Sequence, residues 1–138
     1  MKKNFVKDWM SDQPVTIPPE TTVPEAYQVL KDNNVRRLPV IDGSKLVGIV
    51  TRGDVREAGP SDATSLSIYE LNYLLAKLSV GEIMTKDPIT VTPETSLHEV
   101  AKIMLESKIG GLPVVADGKV VGIITESDVF RAMIELFS

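Results

Sequence analysis

Cysteine is absent from the chain. Disulfides, thiolate metal sites and cysteine nucleophiles are therefore excluded. Histidine occurs once, as His98, so neither a histidine metal cluster nor a serine triad with a second histidine can be assembled. No phosphate loop of the G-x-x-x-x-G-K type occurs. No apolar run approaches the ~18 residues that cross a bilayer, and the N-terminus lacks a signal-peptide core. A basic excess is missing too: 15 Lys and Arg stand against 19 Asp and Glu, for a net charge of −4. Nucleic-acid affinity comes from a basic face, so no nucleic-acid partner is expected. These absences predict a cytoplasmic protein with no membrane partner, no metal site and no required cofactor, and not an enzyme.

What the sequence does contain is one segment written twice. The chain has 138 residues, 43% of them apolar and 25% charged, which suits one ordinary domain or two small halves sharing a core. Val6 to Val55 lies on Val80 to Val129 without a gap, and about 18 of 50 positions are identical. Pro14-Val15-Thr16-Ile17 falls on Pro88-Ile89-Thr90-Val91. Leu38-Pro39-Val40 falls on Leu112-Pro113-Val114. Val47-Gly48-Ile49-Val50-Thr51 falls on Val121-Gly122-Ile123-Ile124-Thr125, and Asp54 on Asp128. Matching Pro, Gly and Asp carry backbone constraints that two unrelated amphipathic halves would not share.

Each copy reads as strand, helix, strand, strand, helix. Val15-Thr16-Ile17 is a short β-branched run. Thr22 with Glu25, and Ser96 with Glu99, are capping boxes that open helices. Pro24 sits in the first turn, where its missing N–H costs nothing. Hairpins follow at Leu38–Ile41 with Leu46–Val50, and at Leu112–Val115 with Val120–Ile124. Their Asp-Gly pairs, Asp42-Gly43 and Asp117-Gly118, are displaced by one residue between copies, so the two loops should differ slightly. Between the copies, Ala58-Gly59-Pro60-Ser61-Asp62 reads as a turn-rich break. Ser67 with Glu70 caps a further helix running towards Leu78. The predicted organisation is repeat 1 over 6–56, a helical linker over 57–79 and repeat 2 over 80–134. One repeat of about 50 residues buries too little surface alone. The expectation is an α+β fold in which two β-α-β-β-α repeats pack about a pseudo-two-fold axis as one unit.

The ordered set of an M-[ST]-x-x-P-h-T opening, an h-x-x-L-P-V segment and a G-h-h-T-x-x-D ending, present in tandem from about Val6 to Ile134, resembles the CBS-domain pair, or Bateman module. The linker from Ala63 to Leu75 resembles that of stand-alone acetoin-utilisation-like pairs. The resemblance implies a regulatory module that binds an adenosine-type ligand (AMP, ADP, ATP or S-adenosylmethionine). It implies a cleft shared between repeats on each side. One cleft would combine Ile89, Thr90, Ile109, Gly110 and Gly111 with Thr51, Arg52 and Asp54. The other would combine Val15, Thr16, Val35, Arg36 and Arg37 with Thr125 and Asp128, beside Glu126.

The residue types suit those roles. A carboxylate can accept from both vicinal hydroxyls of a ribose. A threonine at a helix start stands beside free N–H groups that favour phosphate. Glycines let backbone approach a flat base, and an arginine can grip phosphate bidentately. Thr51-x-x-Asp54 and Thr125-x-x-Asp128 equally fit helix caps. The clefts should be unequal: Gly110-Gly111 and Arg52 favour the cleft of Asp54, whereas Glu126 repels phosphate beside Asp128. Acting alone, such a module would regulate an unknown protein partner in trans; the alternative is a structural interaction module with degenerate clefts. Leu30, Met104, Phe130, Met133 and Phe137 are more apolar side chains than a small core needs, which predicts a homodimer. Trp9 reads as a core or dimer contact.

Overall fold

The structure is a computed structural model that describes residues 4–59 and 67–138. Its elements in chain order are β1 (Ser11–Asp12), α1 (Val23–Asp32), β2 (Arg37–Asp42), β3 (Lys45–Thr51), α2 (Arg52–Ala58), α3 (Ile68–Lys77), α4 (Val80–Ile83), β4 (Thr85–Lys86), α5 (Leu97–Ser107), β5 (Gly111–Ala116), β6 (Lys119–Thr125) and α6 (Glu126–Leu136). The fold is α+β, with the predicted helices and hairpins in both repeats. Most of the turn-rich break, Pro60 to Asp62, and the linker residues up to Leu66 lie outside the described residues.

The chain forms two compact units. One is residues 15–87, the repeat-1 unit; the other joins residues 1–14 to 88–138, the repeat-2 unit. Each unit therefore holds the opening segment of the other repeat. In the repeat-1 unit β4 pairs antiparallel with β3, Gly48 opposite Lys86, giving the sheet order β2-β3-β4. In the repeat-2 unit β1 pairs with β6, Asp12 opposite Gly122, giving β1-β6-β5. The cores agree. Val6 and Trp9 are buried with Val100, Leu112 and Ile124, and Val80 is buried with Leu30, Leu38 and Val50. Gly48 and Gly122 permit the third strand to approach. A Cβ on Gly122 would stand 2.8 Å from the Ser11 carbonyl, and one on Gly48 2.8 Å from that of Thr85.

The expected strand at Val15–Ile17 contracts to a single parallel bridge between Ile17 and Val40, and its counterpart to one between Val91 and Val114. Prolines are the reason. Ile17 N–H donates to Pro39 O at 3.2 Å, and Ile41 N–H to Ile17 O at 2.9 Å. Extending the ladder either way would need an N–H from Pro39 or Pro19, and neither has one. Pro113 and Pro93 stop the second copy in the same way.

The predicted helix starts are realised as N-caps, although at Thr22 and Ser96 the glutamate does not return the bond that a full capping box requires. Thr22 Oγ1 accepts from Glu25 N–H at 3.3 Å, Ser96 Oγ from Glu99 N–H at 3.1 Å and Ser67 Oγ from Glu70 N–H at 3.2 Å. The hairpin loops have equal length, closing Asp42 on Lys45 and Ala116 on Lys119 with the same bulge position. Their turns differ. Only Gly43 has positive φ in the first, as in a type II′ turn, whereas both Asp117 and Gly118 have it in the second, as in type I′. The displaced Asp-Gly thus changes turn type while register is kept.

Leu30 and Met104, predicted as dimer contacts, are instead core residues, 1% and 8% exposed. They lie on the inner stripes of α1 and α5. Trp9 also belongs to a core.

Candidate functional site

Each repeat's own h-x-x-L-P segment lies beside its own T-x-x-D segment, because the hairpin returns the chain. In the repeat-1 unit Arg37 is the register partner of Thr51, and Arg52 N–H donates to Arg36 O at 2.9 Å. Gly111 opposes Thr125 in the repeat-2 unit, and Glu126 N–H donates to Gly110 O at 3.0 Å. Val15 is exposed and Thr16 half-buried, just ahead of the Ile17 bridge; Ile89 and Thr90 are exposed ahead of Val91. Val35 and Ile109 are half-buried against the cores of their units. Arg36 is exposed, Arg37 and Gly110 half-buried, Gly111 buried. Residues 15, 16, 35–37, 51, 52 and 54 thus share one unit, and residues 89, 90, 109–111, 125 and 128 the other.

The two T-x-x-D segments differ in how their carboxylates are used. Thr51 N–H donates to Asp54 Oδ2 at 2.8 Å, and Asp54 N–H returns to Thr51 Oγ1 at 3.0 Å. This reciprocal cap starts α2. Among the described residues nothing donates to the other oxygen of half-buried Asp54. Asp128 accepts the Thr125 N–H at 2.9 Å and the Thr125 hydroxyl at 3.2 Å, both on Oδ2. Its Oδ1 accepts from Arg131, whose guanidinium also reaches Trp9 O at 3.4 Å. Asp128 is 6% exposed, the one buried charged side chain among the described residues.

Arg52 has a structural task that its sequence position did not disclose. Its Nε donates to Val35 O at 2.9 Å and its Nη2 to Leu30 O at 3.4 Å. Its charge therefore sits at the C-terminal end of α1, where it offsets the exposed carbonyls. The helix-to-strand link that carries Val35 and Arg36 is pinned by it. Sequence reasoning missed Arg131, although its i,i+3 spacing from Asp128 on a helix was the available signal.

Helices α5 and α6 leave a depression of about 460 Å³ in the repeat-2 unit, floored by Met104 and Val129 and rimmed by Lys108 and Glu126. Its walls include Leu105 and Phe130, 81% and 59% exposed. The apolar exposure continues along α6 through Met133 and Ile134 and on to Phe137, which follows the helix. Among the described residues, no group of three or more His, Asp or Glu could hold a metal ion, and no helix is long and apolar enough to cross a membrane.

Comparison with known proteins places this geometry. The family model of the CBS domain matches residues 6–61 and again 80–135. The solved structure of Arabidopsis thaliana CBSX2 in complex with AMP is 34% identical, with a TM-score of 0.81, over 98% of this chain and 99% of that one. A candidate acetoin utilization protein of Vibrio cholerae, AcuB, is 34% identical with a TM-score of 0.79, over 96% of this chain and 92% of that one. The CBS pair of MJ0100, solved with 5′-methylthioadenosine and S-adenosyl-L-methionine, is 34% identical with a TM-score of 0.79, over 96% and 97%. Among curated sequences the pair also recurs inside longer proteins. The chain is 45% identical, over 84% of its length, to an inosine-5′-monophosphate dehydrogenase of Korarchaeum cryptofilum, of which it spans 21%. It spans 59% of CBSX1 of Arabidopsis thaliana.

Proposed function

The chain belongs to the CBS-domain family, whose domain it contains twice, and from that premise we propose that it is a non-catalytic sensor of an adenosine-type nucleotide that regulates a protein partner in trans. The observation that carries the reading is the Thr51–Asp54 pair. The capping hydrogen bonds fix the carboxylate and engage Oδ2 alone, which leaves an acceptor for a ribose hydroxyl. Similar pairs solved with AMP and with S-adenosyl-L-methionine share the adenosine moiety and differ beyond it, which supports recognition of base and ribose. The residues proposed to contact the ribose are Thr51 and Asp54, and those proposed to contact a base are Ile89, Thr90, Ile109, Gly110 and Gly111. Arg52 acts there first by fixing the Val35–Arg36 link.

The active species is a homodimer joined through the exposed apolar surface of α5 and α6. Phe130, Met133 and Phe137 supply that surface, and the depression beside Phe130 receives a side chain of the second copy.

Titration calorimetry of nucleotide-stripped protein against AMP, ADP, ATP, S-adenosylmethionine, NAD and cyclic di-AMP tests the sensor reading. Saturable heat with at least one adenosine ligand, and recovery of that ligand unchanged, is the expected result. Silence across the panel would leave an interaction module without a ligand.

A further inference from the structure

The two repeats carry the same T-x-x-D motif, yet their carboxylates stand in different chemical states of engagement. Asp54 Oδ2 takes one hydrogen bond, from Thr51 N–H. Asp128 Oδ2 takes two, from the Thr125 N–H and hydroxyl, and its Oδ1 is held by Arg131. At the position of Arg131, repeat 1 has Glu57, which stands the same three residues beyond Asp54. Glu57 cannot donate to Asp54, and among the described residues no other side chain does.

Resting on the sensor reading, we infer that Arg131 is a positioning residue that closes the Asp128 site, so that the chain binds one nucleotide, at Asp54. The chemistry is competitive. A vicinal diol needs a carboxylate with free acceptor sites. Arg131 occupies Oδ1 with a charge-assisted hydrogen bond, about twice as strong as a neutral one. A ribose hydroxyl donating to the carboxylate is also charge-assisted through the ionised acceptor, but it brings no positive charge to replace the guanidinium it would displace. Asp128 is 6% exposed while the Arg131 side chain is 62% exposed, so the guanidinium lies across the solvent side of a carboxylate that the fold covers elsewhere, and a ligand would have to displace it to reach Oδ1. Arg131 is itself anchored on Trp9 O, which fixes the guanidinium where it blocks the carboxylate. The role of Asp128 is then structural: it joins the start of α6 to the Trp9 turn. The asymmetry is written by one residue in each repeat, Arg131 against Glu57.

Calorimetry with AMP tests this in both directions. Wild type should bind one AMP per chain, and Arg131→Gln should bind two, while Arg131→Lys, which keeps a cation beside Asp128, should remain at one. Asp54→Asn should lower the affinity of the single wild-type site ten- to a hundredfold; the double variant Asp54→Asn with Arg131→Gln should retain one site. The mirror substitution Glu57→Arg, at an exposed position that leaves the core untouched, should weaken the Asp54 site at least tenfold, and Glu57→Gln should not. Melting curves report folding of each variant, and Glu57→Arg decides the matter if Arg131→Gln melts early. Two AMP per wild-type chain, one of them lost with Asp128→Asn, would overturn the inference and leave the sensor reading standing. So would an unchanged single site in Arg131→Gln, or full affinity in Glu57→Arg. If neither wild type nor Arg131→Gln binds AMP or S-adenosylmethionine, the sensor reading fails and the inference falls with it.

Discussion

Thr51 and Asp54 hold each other: the Thr51 N–H donates to the Asp54 carboxylate at 2.8 Å while the Asp54 N–H donates to the Thr51 hydroxyl at 3.0 Å. Cap and candidate ligand contact are therefore one structure. Thr51→Val removes the acceptor and should cost about 1 kcal/mol of stability, within the usual range for a lost N-cap. Thr51→Ser should cost little. Chemical denaturation of both variants decides the point, with equal midpoints counting against the cap.

Arg52 should be sensitive even to lysine. Its Nε and Nη2 address two separate carbonyls, those of Val35 and Leu30, and an ammonium on a flexible stem does not reproduce that fork. Arg52→Lys should lose about 1 kcal/mol, nearly as much as Arg52→Met. A thermal melt of Arg52→Lys indistinguishable from wild type would contradict the assignment.

Gly48 and Gly122 should not accept alanine. The added Cβ meets the backbone of β4 or β1, at the Thr85 or Ser11 carbonyl, and the side chain of Met84 or Met10. Overpacking of this kind costs about 1–3 kcal/mol. Both single variants should melt lower than wild type, by similar amounts given the repeated geometry. A neutral result at either position would mean that the short third strand shifts freely.

For the homodimer, Phe130→Glu on the exposed face of α6 and Phe137→Glu just past its end place charges there without touching the core. Sedimentation should show a dimer for wild type at micromolar concentration and a monomer for the double variant. A wild-type monomer would refute the interface.

Fragments distinguish the repeat from the compact unit. Residues 15–87 contain β2, β3 and β4 with the core around Leu30, Leu38 and Val80. Residues 1–79 hold all of repeat 1 but lose α4 and β4. The first fragment should give dispersed amide resonances and a cooperative melt; the second should expose the edge of β3 and aggregate. The reverse outcome would show that β4 is dispensable.

Much of this was legible in the sequence because the decisive patterns are local. Thr22, Ser96 and Ser67 announce helices by their spacing to glutamates, and the paired Leu-Pro-Val and Val-Gly-Ile runs announce hairpins. The exchange of opening segments was not legible. Ser11–Asp12 and Thr85–Lys86 are exposed, two residues long and without periodicity, and the partner of β1 lies at the far end of the chain. An apolar stripe also does not say what it meets, which is why Leu30 and Met104 read as surface yet lie in cores. Arg131 looks like an ordinary solvated helix residue until the burial of Asp128 beside it is seen.

The exchanged strands bear on how such a chain could arise. A single ancestral repeat would carry its own opening strand, but in this fold that strand completes a sibling's sheet, so the same pairing would have required a second molecule. Fusing two copies turns that encounter into an intramolecular one, at the millimolar effective concentration of a short tether. Once fused, each copy is free to diverge as long as its opening segment still serves its sibling. Selection on the first residues of one repeat therefore acts through the stability of the other.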